Sequence, residues 1–204
     1  MIFIQVLVET MRNFAYLIGD EKMRLAAVVD PAGAVDRILR LAEDQGLKII
    51  YIINTHSHSD HTSGSQELAS ATGAKIIMHK KARATKNLAV EDGDVISVGE
   101  LKIKVIYTPG HSPDGISLLV EDKLLTGDTL FVGECGRTDL PGGSSEELYD
   151  SLFGKLVKLD DELEVYPGHD YGEKPHSKLG YEKKHNYTLK PRSKDEFLKF
   201  MAED

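Results

Sequence analysis

Apolar and polar positions along the chain follow two periods. Alternating or continuous apolar runs predict strands over Met1–Glu9, Lys48–Ile53, Leu101–Tyr107, Lys123–Thr126 and Leu163–Tyr166. The Ile-rich run Lys48–Ile53 is read as fully buried, and Leu101–Tyr107, with its apolar and basic alternation, as half-buried. Helical spacing predicts helices over Ala34–Gln45, stopped by Gly46, and over Thr62–Ala71, Glu146–Leu156 and Lys194–Ala202. Ser63 stands three residues before Gln66, the spacing of a capping box, which would set the preceding loop against the N-terminus of the second helix.

These elements run without repeat, low-complexity tract or linker through 204 residues, about what one large α/β domain occupies, so a single domain over 1–204 is expected. Composition narrows the picture. With 41% hydrophobic residues the chain can bury a core without disulfides, and Cys135, its only cysteine, can form none within the chain. The formal net charge of −8 disfavours a nucleic-acid partner. The apolar N-terminal run is too short to span a bilayer and lacks a basic leader or cleavage site, so a cytoplasmic location without membrane association is expected.

The chemistry collects where strands end. Thr55-His56-Ser57-His58-Ser59-Asp60-His61 follows the strand Lys48–Ile53 and puts three imidazoles and a carboxylate in one short loop. His111 follows Thr108-Pro109-Gly110, Asp128 follows Gly127, and His169 follows Pro167-Gly168, each just past a predicted strand. Open α/β sheets gather functional groups at such ends, and imidazole nitrogens with carboxylate oxygens are ligands for zinc or ferrous iron. Alone, His111 is read as a turn residue and Asp128 as a cap. It is their recurrence with the His-rich loop that points to a metal site. His79, His176 and His185 lack such spacing and are read as surface or structural residues.

The ordered motifs His-x-His-x-Asp-His, Thr-Pro-Gly-His, Gly-Asp-Thr-Leu-Phe and Tyr-Pro-Gly-His resemble the metallo-β-lactamase superfamily over nearly the whole chain. The resemblance implies a four-layer αβ/βα sandwich, two mixed sheets inside outer helices, with a metal site at one edge. Reaction is less specified, because one fold hosts many chemistries. The segment Gly133-Glu134-Cys135-Gly136-Arg137-Thr138-Asp139-Leu140, the Tyr166–Tyr171 stretch and the later Leu189-Lys190-Pro191-Arg192 are most similar to persulfide dioxygenases. Glyoxalase II-type hydrolases share most of these motifs but typically continue into a helical glutathione-binding region, whereas this chain ends at Asp204.

By analogy with the dioxygenases, His56, His111 and Asp128 would bind one Fe(2+) per chain, with His58, Asp60, His61 and His169 around them. The reaction would oxidise a low-molecular-weight thiol persulfide to sulfite, in sulfide detoxification. In the hydrolase alternative all seven would bind two Zn(2+) or mixed ions: His56, His58 and His111 one, Asp60, His61 and His169 the other, and Asp128 both. Further alternatives are a flavodiiron-type redox module, disfavoured by the absence of room for a flavodoxin domain, and a nuclease, disfavoured by acidity. Arg137 is the expected clamp for a substrate carboxylate, with Gly136 letting a ligand approach the backbone and Tyr171 as a lesser contact. Cys135 is expected to be a small buried space-filler, and family analogy implies a homodimer.

Overall fold

In the computed structural model, which describes residues 1–8 and 11–203, two six-stranded sheets pack face to face. The first takes β1 (Ile2–Val8), β2 (Asn13–Asp20), β3 (Leu25–Val29), β4 (Lys48–Ile53), β5 (Lys75–His79) and β6 (Leu88–Val90) in sequence order. Its β1–β2 and β2–β3 pairs are antiparallel and the rest parallel. The second holds β7 (Val95–Val98), β8 (Leu101–Tyr107), β9 (Ile116–Val120), β10 (Lys123–Gly127), β11 (Glu164–Pro167) and β12 (Ser177–Lys178), also in order, with β10–β11 its only parallel pair among the described residues.

Side-chain alternation builds three cores from these two sheets. On β2 and β3, Ala15, Leu17, Ala26 and Val28 face outward to α1 (Val35–Asp44) and the helix α3 (Ser65–Thr72), meeting Ile38 and Leu68. The intervening Phe14, Tyr16, Ala27 and Val29 face the other sheet and pack with Val105, Leu118 and Leu125. Beyond the second sheet, Leu124 and Val165 meet α4 (Ser145–Gly154), α5 (Leu179–His185) and α6 (Lys194–Glu203) through Leu148, Leu179 and Phe197. The layers therefore run helix, sheet, sheet, helix, which is the αβ/βα sandwich expected from the sequence.

The strand over Met1–Glu9 is seen as Ile2–Val8, and Glu9 lies outside the described residues. The helix expected over Thr62–Ala71 is broken into α2 (Ser59–Thr62) and α3. The break sits at Gly64, where the backbone oxygen of Ala32 comes so close that an added Cβ would lie 2.0 Å from it. Ser63 consequently closes α2, Gly64 occupies the N-cap of α3 with no side-chain hydrogen bond, and the Ser63–Gln66 capping box does not form. A consequence for the site is that Asp60 and His61 ride on a helical turn, not a free loop. The helix expected over Glu146–Leu156 ends at Gly154, with Leu156–Lys158 continuing as a 3-10 turn.

Candidate metal centre

Four chain segments leave their strands at the same edge of the sandwich and meet there. β4 delivers His56, His58, Asp60 and His61, β8 delivers His111, β10 delivers Asp128 and β11 delivers His169. Three overlapping groups have ligand atoms within 4.8 Å of one another: His56, His58 and His111; His56, His61 and Asp128; Asp60, His61 and His169. All seven residues singled out in the sequence are thus brought together.

The imidazoles are oriented by the nitrogen that faces away from the centre. His111 Nδ1 lies 2.8 Å from the Arg137 carbonyl and His169 Nδ1 3.1 Å from the Met11 carbonyl, contacts that only an N–H donor satisfies. His61 Nδ1 lies 3.0 Å from Asp30 Oδ2. Each bond keeps a proton on Nδ1 and points Nε2 at the centre, the usual role of such outer partners at metal sites.

Asp30 was not identified from sequence, though it sits where the other functional residues sit, immediately past β3. Buried to 1% exposure, it also accepts from Thr55 N at 2.8 Å and Thr55 Oγ1 at 2.6 Å. It therefore ties the β3 end to the His-rich segment. Asn13, at the start of β2, was missed as well; its Nδ2 donates to Asp60 Oδ2 at 3.0 Å and lies 3.5 Å from the Nε2 atoms of His61 and His169.

The donor set fits a metal ion. His58 Nδ1 stands 3.0 Å from both His56 Nε2 and His111 Nε2, and His61 Nε2 stands 3.3 Å from His169 Nε2. Nitrogens so close present lone pair to lone pair unless a proton or cation lies between them. Asp128 is buried, and its oxygens face imidazole nitrogens, His61 Nε2 3.3 Å from Oδ1 and His169 and His111 Nε2 3.3 and 3.5 Å from Oδ2, so carboxylate and imidazole converge as a ligand set does.

These positions fall within the match to the sequence model of the metallo-beta-lactamase superfamily, which spans residues 10–169. The chain belongs to the metallo-beta-lactamase superfamily. Within it, the chain is 35% identical over 197 residues to the human protein named persulfide dioxygenase ETHE1, mitochondrial, covering 93% of this chain and 76% of that one. The crystal structure of ETHE1 from Myxococcus xanthus superposes with a TM-score of 0.95 at 39% identity, covering 99% of this chain and 90% of that chain. A hydroxyacylglutathione hydrolase of Anaeromyxobacter dehalogenans is 40% identical over 164 residues, 78% of this chain and 62% of that protein. Dioxygenases and hydrolases are thus the enzyme classes among its relatives, the two that the motifs point to.

Electrostatics divides this superfamily site in two. Burial, reinforced by neighbouring imidazoles, drives the affinity of His56 for protons well below the ordinary histidine value, and burial beside His111 lowers that of His58. Burial also opposes charging His61, but Asp128 and Asp30 outweigh it and raise its pKa well above normal. His169 likewise overcomes burial through Asp128 and Asp60 and is raised to about 9. Despite their burial, Asp128 and Asp60 are held below the usual carboxylate range, Asp128 chiefly by His61 and Asp60 by its hydrogen bond to His169.

A cavity of about 410 Å³ opens over His58, His111, Asp128 and His169, with Arg137 and Tyr171 also on its wall. Tyr171 stacks on His169 with ring centroids 4.6 Å apart and an interplanar angle of 9°. Arg137 is exposed and spends its fork on Asp139, with bonds of 2.6 and 2.5 Å. Gly136 differs from the sequence expectation: the space its missing Cβ would occupy is taken by the Asp128 backbone oxygen, 1.8 Å away, so it serves the site's own packing and not a ligand. Cys135 is half-buried instead of buried, because it borders the same cavity while packing its Sγ 3.9 Å from Met201 Sδ. His79 is buried and stacked on Tyr107, His176 stacks on Tyr166 and His185 on Tyr181, in keeping with structural roles. Among the described residues no helix is long and apolar enough to cross a membrane.

Proposed function

We propose that this chain is a non-haem iron persulfide dioxygenase acting on a low-molecular-weight thiol persulfide such as glutathione persulfide. The observation that carries the reading is the extent of likeness. Similarity to the human persulfide dioxygenase runs through 93% of the chain, whereas similarity to the hydrolase, though slightly higher in identity, is confined to 78%.

The reaction is R-S-SH + O2 + H2O → R-SH + sulfite + 2 H+, in which four electrons pass from the persulfide to dioxygen. His56, His111 and Asp128 would hold the iron, two imidazoles and one carboxylate, a set that leaves positions open. Bound there, Fe(2+) supplies the one-electron chemistry that dioxygen requires. The surrounding residues have their own tasks. His56 is kept neutral and Asp128 ionised, so both offer lone pairs. His61 and His169 hold protons against Asp30, Asp60 and Asp128, which balances the buried carboxylates. Phe131, edge-on to His169 with centroids 5.9 Å apart and to Tyr171 at 5.3 Å, gives the cavity an apolar wall.

A second reading, a binuclear thioester hydrolase, draws on one observation: Asp60, His61 and His169 converge as closely as His56, His58 and His111. Metal content of protein purified without air, paired with oxygen uptake on glutathione persulfide, separates the two. About one iron per chain with oxygen uptake and sulfite release is the expected result. Two ions per chain, thioester cleavage and no oxygen uptake would replace the dioxygenase by the hydrolase.

A further inference from the structure

The turn from Leu130 to Arg137 links two parts of the metal centre. At its end the Arg137 carbonyl lies 2.8 Å from His111 Nδ1 and so sets the direction of a candidate ligand. Near its start Phe131 stands edge-on to His169 and Tyr171. Leu130 and Cys135 form an antiparallel bridge between them, Phe131 N donates to Glu134 O at 2.9 Å, and Gly136 packs against the Asp128 backbone oxygen with no room for a Cβ. The turn is therefore braced within itself, and what anchors it from outside also fixes the Arg137 carbonyl.

The anchor is a buried pair on and just past α5, neither member of which borders the cavity over the ligands. Glu182, at 1% exposure, accepts through Oε2 from Gly133 N at 2.8 Å and from Asn186 Nδ2 at 2.9 Å. Asn186, at 2%, also places Nδ2 3.3 Å from Phe131 O and 3.2 Å from Glu134 O. Its Oδ1 accepts from Thr188 N and Thr188 Oγ1 at 3.0 and 2.6 Å, so the amide is held with its N–H groups toward the turn. Glu182 Oε1 is buried without a partner, and an apolar side chain would fill that place with less desolvation, so packing alone does not account for the carboxyl. What the carboxyl supplies is an acceptor for the backbone of the turn.

We propose that Glu182 and Asn186 are positioning residues for the metal centre: through the turn they fix the Arg137 carbonyl, and through that carbonyl the His111 imidazole. Neither touches metal or substrate. The contacts run from Glu182 Oε2 to Gly133 N, along the braced turn to Arg137 O, and on to His111 Nδ1. Loss of an outer partner that orients a ligand weakens metal binding about 10- to 100-fold, and a residue one step further out belongs at the lower end of that range. His111 is a ligand whether one ion is bound or two, so the inference stands apart from the choice of reaction.

Metal affinity tests it without turnover. The Kd for the first Zn(2+) is measured by chelator competition for the unaltered protein, E182M and E182Q, and the absorption spectrum of each Co(2+)-loaded form reports ligand geometry. Methionine fills the space of glutamate without an acceptor oxygen, so E182M should fold and bind about tenfold more weakly, with a changed Co(2+) spectrum. Glutamine offers an amide oxygen to the same two donors, so E182Q should stay within about threefold of the unaltered protein and keep its spectrum. If E182M melts earlier but, once folded, binds Zn(2+) within about twofold of the unaltered protein, the pair is structural only and the proposal falls. Equal losses in E182M and E182Q would also overturn it, because the bonds to Gly133 and Asn186 would then not be what matters. Should E182M not fold, N186A breaks the pair from the other side and carries the same expectation. No oxygen is consumed in these measurements, so their failure is distinct from failure of the dioxygenase, which shows as absent oxygen uptake with metal bound.

Discussion

At the His56–His58–His111 end of the cluster imidazole faces imidazole, with nitrogens 3.0 Å apart, while at the Asp60–His61–His169 end each imidazole also faces carboxylates at 3.0 to 3.4 Å. The same residue types therefore titrate in opposite directions. Burial and crowding hold His56 and His58 neutral, whereas Asp30, Asp60 and Asp128 load His61 and His169 with protons. Asp128 stands between the ends, 3.5 Å from His111 Nε2 and 3.3 Å from those of His61 and His169. A cation would thus meet neutral imidazole at His56 and His58 and would compete with protons at His61 and His169. The single ion proposed above would sit at the first end.

Replacing a residue from each end gives the largest expected effect. H111A and D128N should lose iron, measured by elemental analysis, and with it all oxygen uptake. H169A should keep its iron and lose about 10- to 100-fold in rate, the usual cost of disturbing a residue that supports a metal ligand. If H169A instead fails as completely as H111A, both ends bind metal and the contrast between them is one of titration only.

Asp30 is the next lever, because it orients the second end from outside the cluster. In D30N the amide nitrogen would stand where Oδ2 now accepts from Thr55 Oγ1 at 2.6 Å and meets His61 Nδ1 at 3.0 Å. His61 would then lose the acceptor that keeps a proton on Nδ1 and one of the two carboxylates that raise its affinity for protons. Breaking this buried pair should cost about 3 kcal/mol in a denaturant titration, and a cost below about 1 kcal/mol would show that Asp30 does not bear on the centre.

The seven clustered residues were legible in the sequence because each follows a strand whose end is marked by Gly, Pro or a polar turn. Asp30 ends a strand too, but β2 and β3 read poorly: both faces are buried, so Phe14–Ile18 and Ala26–Val29 lack the period of two that marks a half-exposed strand. Asn13 was hidden for another reason. Its partners Asp60 and His169 lie far along the chain, and only the pairing of Asn13 with His169 at the sheet edge brings them together. The helix break at Gly64 arose from the approach of Ala32, a tertiary contact that no local pattern encodes. α5 was missed because its seven residues carry charge through the last turn and bury a glutamate, Glu182, in place of an apolar stripe. Arg137 was legible as a motif, but that Asp139 occupies its fork follows from the geometry of the turn and not from the residue types alone.

The two ends also make opposite contributions to stability against pH in protein stripped of metal by a chelator, the smallest effect and the most direct reading of the contrast. His169 rises in the fold to about 9 from an unfolded value near 6.5. A raised group stabilises fully below the unfolded value, and its contribution fades as pH climbs through the folded one, so stability should decline between pH ~6.5 and ~9. His61, shifted in the same direction, adds to that alkaline limb. His56 is shifted the other way, so below pH ~6.5 the unfolded chain binds a proton that the fold refuses, and stability should fall on the acid side as well. Unfolding titrations from pH ~5 to ~9 should therefore trace a maximum near ~6.5, with stability falling away on both sides. H169A should shrink the alkaline limb, leaving the share of His61, and H56A should shrink the acid limb, leaving the share of His58. A curve without an alkaline decline would mean that His61 and His169 are neutral like His56, and the second end would then be as ready to take a metal ion as the first.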